Sequence, residues 1–499
     1  MFEGIVPGLA QLFSPEMLAL VALGTVISIV FGVIPGLSSV TAIALLFPFI
    51  FGMEQMQGIF FMTGLLGTAT IGGSVTAILL NIPGTAVNTA TMFDGHPMAK
   101  NGEAGRAIGI AATASVVGMI FGLLVLILLL PLVLKVIFLF QPPEFFMLIM
   151  LGLVTVAFAA KGNMIKGLIS AGFGILIALI GASPIFGIER FTFGSQNYIK
   201  YDSVPLIAFF VGLFAVREVI SYATKGGTVA KQGERIHAGF KGILQGAKDV
   251  FINWRITLQS SVLGTIIGLL PGVGGTVANF LGYTLGMQTS KDPSRWGTGI
   301  PEGVVASESS NNAKDGGALM PTLAFGIPGS VEMALLLVAF TIVGLVPGPF
   351  FVTEHPDIVW ALIFGYTMSA VMAAGIVFLS ADLLARVTVV PVKYLLPVVL
   401  TFALVGVYAS RGSIWDVALA LVVGLFGYAL DRLGFSLVTM AIGFVLGFLA
   451  ERNFTQSLQI SAGEYSIFFT RPISLTLFVV AIIILVLPII RARMSKASD

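Results

Sequence analysis

Gly32-Val33-Ile34-Pro35-Gly36-Leu37-Ser38-Ser39 closes one apolar run and opens another, and Gly268-Leu269-Leu270-Pro271-Gly272-Val273-Gly274-Gly275 repeats the pattern in the second half. A second pair follows, Asn81-Ile82-Pro83-Gly84-Thr85 and Gly326-Ile327-Pro328-Gly329-Ser330. Proline lacks a backbone donor and collides with the preceding helical turn, while glycine tolerates open backbone. In lipid, freed backbone groups are tolerated only where protein or a wet cavity satisfies them. Corresponding breaks in two halves of a chain point to a transporter's binding site.

Outward from the breaks, composition sets the class. The chain has 499 residues, 57% hydrophobic and 10% charged, against about 25% charged in soluble domains. Apolar runs near the roughly 20 residues that cross a bilayer recur along its length. They are continuous rather than alternating, which excludes a β-barrel. The expected fold is an all-α polytopic membrane protein with roughly 11 to 14 membrane segments. A net charge of +2 without a basic tract excludes a nucleic-acid partner, and the absence of cysteine excludes thiolate chemistry. Glu3 and Glu16 without Lys or Arg before Met17 do not make a secretory leader.

The paired prolines lie 236 residues apart at the first break (35 to 271) and 245 at the second (83 to 328). The second half thus holds roughly nine more residues between its breaks. Two related repeats are expected, with re-entrant half-helices at the breaks and inversion as the arrangement transporters commonly use. Residues 1–221 form the first, 256–499 the second with the C-terminal helices, and 222–255 a connector. Lys225, Lys231, Arg235, Lys241, Lys248 and Arg255 place that connector in the cytoplasm. Trp254, Trp360 and Trp415, near span ends, read as interfacial anchors. Gln288 to Lys314 reads as a loop or as re-entrant backbone lining water, and Thr91 to Arg106 is long enough to be a surface loop.

A helix restarting at each break leaves free N–H groups and a positive dipole end. Small and hydroxyl or amide residues cluster there: Gly36, Ser38, Ser39, Thr85, Asn88, Gly272, Gly274, Gly275, Thr276, Gly329 and Ser330. Such a set admits an anion to the backbone, although the same residue types also allow close helix packing. Asn311 and Asn312 add amides. Candidates for a coupling ion are Asn81, Asp94, Asn311, Asp315 and Glu332, since charges at membrane depth are costly. For Asp94 a turn-capping role and for Glu332 a first-turn dipole role are the bland alternatives. Three scattered histidines, no P-loop lysine and no GxSxG elbow give no catalytic constellation.

At these motifs, and at Asp94-Gly95-His96-Pro97-Met98-Ala99-Lys100 through Arg106, Glu308 to Asn312, Gly316 to Pro321 and Gly344 to Pro349, the chain resembles the large membrane subunit of bacterial tripartite tricarboxylate transporters, the TctA family. The resemblance implies a multi-pass protein of the bacterial inner membrane, working with a small membrane subunit and a periplasmic solute-binding protein. It implies secondary active import of tricarboxylates or related carboxylates, driven by a sodium or proton gradient. No cofactor is expected, a coupling sodium ion aside. The family usually carries Tyr where His96 stands and a small polar residue where Glu332 stands, which leaves substrate and ion open. The rival readings are an intramembrane enzyme, a channel, and a permease energised by a separate ATPase.

Overall fold

A computed structural model describes residues 2–34, 39–159, 164–183, 185, 187–192, 194, 203–225, 239–271, 273–348, 350–387 and 392–497. Gly36, Ser38 and Gly272, and the connector charges Lys231 and Arg235, lie outside the described residues.

The first half begins with a short helix α1 (Ile5–Leu12), then α2 (Pro15–Val33), α3 (Ser39–Ile50), α4 (Gln55–Leu66) and α5 (Ala69–Leu80). It continues with α6 (Thr91–Met98), α7 (Ala104–Ile137), α8 (Pro142–Ala159), α9 (Met164–Ala178), and α10 (Leu206–Phe210), joined through a π-helical turn at Val211–Val216 to α11 (Arg217–Lys225). The second half runs α12 (Phe240–Ile252), α13 (Trp254–Leu269), α14 (Gly274–Thr289), α15 (Pro301–Phe325), α16 (Val331–Ile342) and α17 (Phe351–Glu354). It ends with α18 (Pro356–Val387), α19 (Val392–Arg411), α20 (Ile414–Arg432), α21 (Leu437–Ile460), α22 (Ile467–Thr470) and α23 (Pro472–Ala497). The described strands are two-residue pieces, Gly181–Ala182 paired with Glu189–Arg190.

Local chemistry sets the ends. Ser14, Ser330 and Ser436 cap α2, α16 and α21 through their hydroxyls. Helix α2 stops because Ile34, ahead of Pro35, is extended (φ −82°, ψ 111°); Leu270, ahead of Pro271, stops α13 the same way (φ −85°, ψ 114°). Asn81 (φ 55°) and Gly326 (φ 69°) close α5 and α15 in the left-handed region.

The same contacts recur in both halves. A Cβ on Gly32 would strike Ala69 O and Gly73; one on Gly268 would strike Lys314 O and Ala318, each 245 residues on. Ser28 donates to Leu65 O at 2.6 Å, and Gly264, 236 residues later, lies against Ser310 O. Gly84 is pressed against Gly32 O and Gly73, as Gly329 is against Gly268 O and Ala318. The halves also exchange partners: α9 packs on α21, and α20 packs on α10, α11 and the turn between them. The seam runs along α7 against α15.

Among the described residues, seven helical runs are long and apolar enough to cross a membrane. Six more apolar helices are shorter. Ser39–Ile50 and Val331–Ile342 have 12 residues each, about 18 Å against a core of about 30 Å, so they reach only part way.

Three local expectations change. Pro301–Phe325 is one continuous helix, so of the stretch expected as loop or re-entrant backbone only residues 290–300 form a loop. Ser307, Glu308, Ser310 and Asn312 of the helix are buried in hydrogen bonds, whereas Ser309 and Asn311 are buried without partners among the described residues. Thr91–Arg106 is helical, running through a π-helical turn into α7, with Asp94 fully buried. Trp360 is buried against Phe2 and Phe364, unlike the exposed Trp254 and Trp415. Within the connector, Phe240–Ile252 forms a helix on α7, held by Arg106 and Asp249 at 2.6 Å.

Candidate functional site

The described segments that follow the four breaks line one cavity of about 730 Å³. Its wall is built from helix beginnings: Ser39 to Thr41 of α3, Gly274 to Val277 of α14, Val331 and Glu332 of α16, and Ser436 to Thr439 at the start of α21. Pro83 to Val87 forms a further edge, and Phe214, Arg217, Glu218 and Asp431 complete it. Each helix start presents N–H groups without intrahelical partners and the positive end of a dipole. Gly274 enters α14 at φ 75°, a conformation that glycine tolerates without strain.

Behind Gly275 stand two residues of α15. A Cβ at Gly275 would lie 3.0 Å from Asn311 Oδ1 and 3.4 Å from Lys314 Cε. Lys314 is buried and pairs with Asp315 at 2.5 Å. Asn311 is fully buried, and neither its Oδ1 nor its Nδ2 has a hydrogen-bond partner among the described residues. An unsatisfied buried amide costs about 1–3 kcal/mol, so two such atoms beside a cavity wall are suited to a ligand.

The wall is also charged. Arg217 is bridged to Glu218 and to Asp431. With Glu332 the lining carries one formal positive and three formal negative charges.

The breaks thus bring together Ser39, Thr85, Gly274, Gly275, Thr276 and Glu332, with Asn311 and Asp315 directly behind. Asn88 is one hydrogen bond from the cavity, through Thr85 at 2.5 Å. Asn312 is held by Thr70 at 3.3 Å. Gly329 and Ser330 position α16, by packing and by capping. Asn81 and Asp94 do not line the cavity. Asn81 is an exposed helix end. Asp94 accepts from the N–H groups of Gly297, Gly299 and Ile300 at 2.8 to 3.1 Å and from the Tyr283 hydroxyl at 2.8 Å. Gly297 (φ 87°) and Gly299 (φ 102°) turn the chain so that these donors converge. Asp94 thereby fastens the longer loop between α14 and α15.

Arg217 and Lys314 escaped sequence reasoning. Arg217 lies in an apolar run, where a charge is itself a signal; Lys314 was hidden in a stretch read as a polar loop.

A helical bundle whose two halves meet at one cavity lined by helix starts fits a membrane transport protein. Residues 18–442 match the tripartite tricarboxylate transporter TctA family, and the chain belongs to that family. It is a transporter subunit and not an enzyme, the large membrane subunit of such a system. In that family the large subunit works with a small membrane subunit and a periplasmic binding protein. The chain is 31% identical over 497 residues to an uncharacterised 52.8 kDa protein in the TAR-I ttuC' 3' region of Agrobacterium vitis, covering 98% of this chain and 97% of that protein. An uncharacterised protein in the TAR-II ttuC' 3' region of the same organism is 34% identical over 233 residues, 46% of this chain and 96% of that protein. No solved structure matches the chain.

Proposed function

We propose that the cavity binds a tricarboxylate or related carboxylate and carries it inward across the bacterial inner membrane, driven by a cation gradient. The observation that carries this reading is the convergence of the α3, α14, α16 and α21 starts on one cavity with Arg217 in its wall. Free N–H groups, hydroxyls and an arginine are the donors a carboxylate takes. The Asn311 amide behind Gly275 extends the same donor set.

The wall's formal excess of two negative charges supports cation coupling. A multiply charged anion entering such a wall is repelled unless positive charge accompanies it. The binding protein delivers the substrate, the small subunit completes the membrane assembly, and the connector faces the cytoplasm. The two halves act as inverted repeats, and the short α3 of one and α16 of the other, which follow different breaks of the pattern, reach part way in and meet at the site.

Reconstitution of the full chain with both partner proteins, assayed with labelled di- and tricarboxylates with and without sodium, tests the reading. Saturable uptake that an ionophore abolishes is expected for at least one carboxylate. Arg217→Gln should then raise KM roughly tenfold or more, the worth of one charge-assisted hydrogen bond. Uptake of no carboxylate, or uptake indifferent to every imposed gradient, would overturn it.

A further inference from the structure

Glu308, near the middle of α15, is fully buried and belongs to no wall of the cavity. Its partners come from the other half of the chain. Oε1 accepts from the Thr91 hydroxyl at 2.5 Å, the Ser74 hydroxyl at 2.8 Å and the Asn88 amide at 3.4 Å, and Oε2 accepts from the Ser115 hydroxyl at 3.1 Å. Four donors from α5, the turn at Ala86–Asn88, α6 and α7 thus meet on one carboxyl of α15.

No Lys, Arg or His forms an ion pair with it among the described residues. Glu302 stands in the first turn of α15 and Lys135 in the last turn of α7, and the other titratable groups on these helices are engaged elsewhere. On α6, Asp94 is taken by the α14–α15 loop and Tyr283 of α14, and His96 Nδ1 lies 3.0 Å from Ile78 O. On α7, Arg106 pairs with Asp249 and Glu103. Further along α15, Lys314 and Asp315 pair with each other. Helix α5 carries no charge. An ionised carboxylate alone in such surroundings is costly, whereas a protonated one needs far less.

The hydroxyls around Glu308 can serve either state. Ser74 has one proton and two acceptors, Glu308 Oε1 and Thr70 O at 2.9 Å. Thr91 likewise chooses between Glu308 Oε1 and Ser307 Oγ at 3.3 Å. With Glu308 ionised, both hydroxyls donate to it. With Glu308 protonated, its O–H donates to one of them, and that hydroxyl turns its own proton to Thr70 O or Ser307 Oγ. Every group keeps a partner in both states. The spacing also separates a proton from a metal ion. Adjacent ligand oxygens on a cation with bonds of about 2.4 Å stand about 3.4 Å apart; the 2.5 and 2.8 Å pairs here are hydrogen bonds.

One chain of contacts leads to the cavity. Thr85 lines it and donates to Asn88 Oδ1 at 2.5 Å, and Asn88 Nδ2 reaches Ser74 at 2.8 Å as well as Glu308. Asn88 Nδ2 also donates to Thr70 O at 2.9 Å. A carboxylate substrate that draws the Thr85 hydroxyl to itself therefore removes the partner of Asn88 Oδ1 while leaving the amide tethered, and the 3.4 Å contact to Glu308 is the one most easily altered.

We propose that Glu308 is the site at which this transporter binds its coupling proton, with Thr85 and Asn88 relaying cavity occupancy to it. The proposal rests on the reading of the chain as a gradient-driven carboxylate carrier. It is tested in proteoliposomes holding the full chain with its small subunit and binding protein, at clamped membrane potential. The accumulation ratio should follow an imposed pH gradient, about tenfold per pH unit for each proton carried. In Glu308→Gln, which keeps shape and hydrogen bonding, that dependence should vanish while exchange of labelled for unlabelled carboxylate persists. In infrared difference spectra of the unaltered transporter, citrate or another transported carboxylate should shift a protonated-carboxyl band that Glu308→Gln lacks and Thr85→Val leaves unresponsive. A Glu308→Gln transporter still following the pH gradient, a transporter driven by sodium alone, or spectra without such a band would each overturn the assignment. Absence of carboxylate uptake by the unaltered transporter would instead remove the underlying reading.

Discussion

Asn311 is the residue where stability and binding pull apart. Its two amide atoms are buried and lack partners among the described residues, so the folded chain gains little from them. Asn311→Leu removes both unsatisfied atoms at similar volume, and the melting temperature in detergent should stay level or rise. Uptake should nevertheless weaken, with KM up roughly tenfold, about 1.4 kcal/mol of lost substrate contact. A lowered melting temperature with unchanged KM would instead give Asn311 a packing role. At this scale the sequence was partly legible. Ser39, Thr85 and Gly274 to Thr276 were readable because proline and glycine fix where helices end and begin, and small polar residues stood beside them. Asp94 was not, because its partners Gly297, Gly299, Ile300 and Tyr283 lie about 190 to 206 residues away and nothing local announces them.

Among the elements, the paired helices α2 with α4–α5 and α13 with α15 carry the clearest shared geometry. They approach through glycine at backbone distance, the packing that lipid favours because apolar side chains gain little from each other there. Gly84→Val and Gly329→Val both drive a branched side chain into the opposed backbone, and overpacking of this kind costs about 1–3 kcal/mol or more. Folded protein recovered from membranes should fall to a similar extent in the two variants; a large effect in one alone would count against their equivalence. The boundaries of α2 and α13 follow directly from Pro35 and Pro271. Helix α15 does not follow, since Ser307 to Asp315 is as polar as a loop. Only the hydroxyls and amides arriving from α5, α6, α7 and α14 make it a buried helix, and those contacts have no trace in a hydropathy window.

At the scale of the molecule, the two halves are interlocked. Helix α9 packs against α21 and α20 against α10–α11, so each half covers apolar surface that the other exposes. Residues 1–230 or 231–499 expressed alone should fail to accumulate, while co-expression should give a complex that co-purifies and restores uptake. Stable accumulation of either piece alone would show that the exchanged helices are dispensable. The 245-residue register that relates the halves places Thr63 opposite Glu308, and Thr63 spends its hydroxyl on Phe60 O at 2.8 Å. At corresponding places, then, one half holds a carboxyl and the other a neutral side chain. If the coupling proton loads at Glu308, it loads in one half alone, and the two halves cannot exchange roles during the transport cycle even where their backbones match.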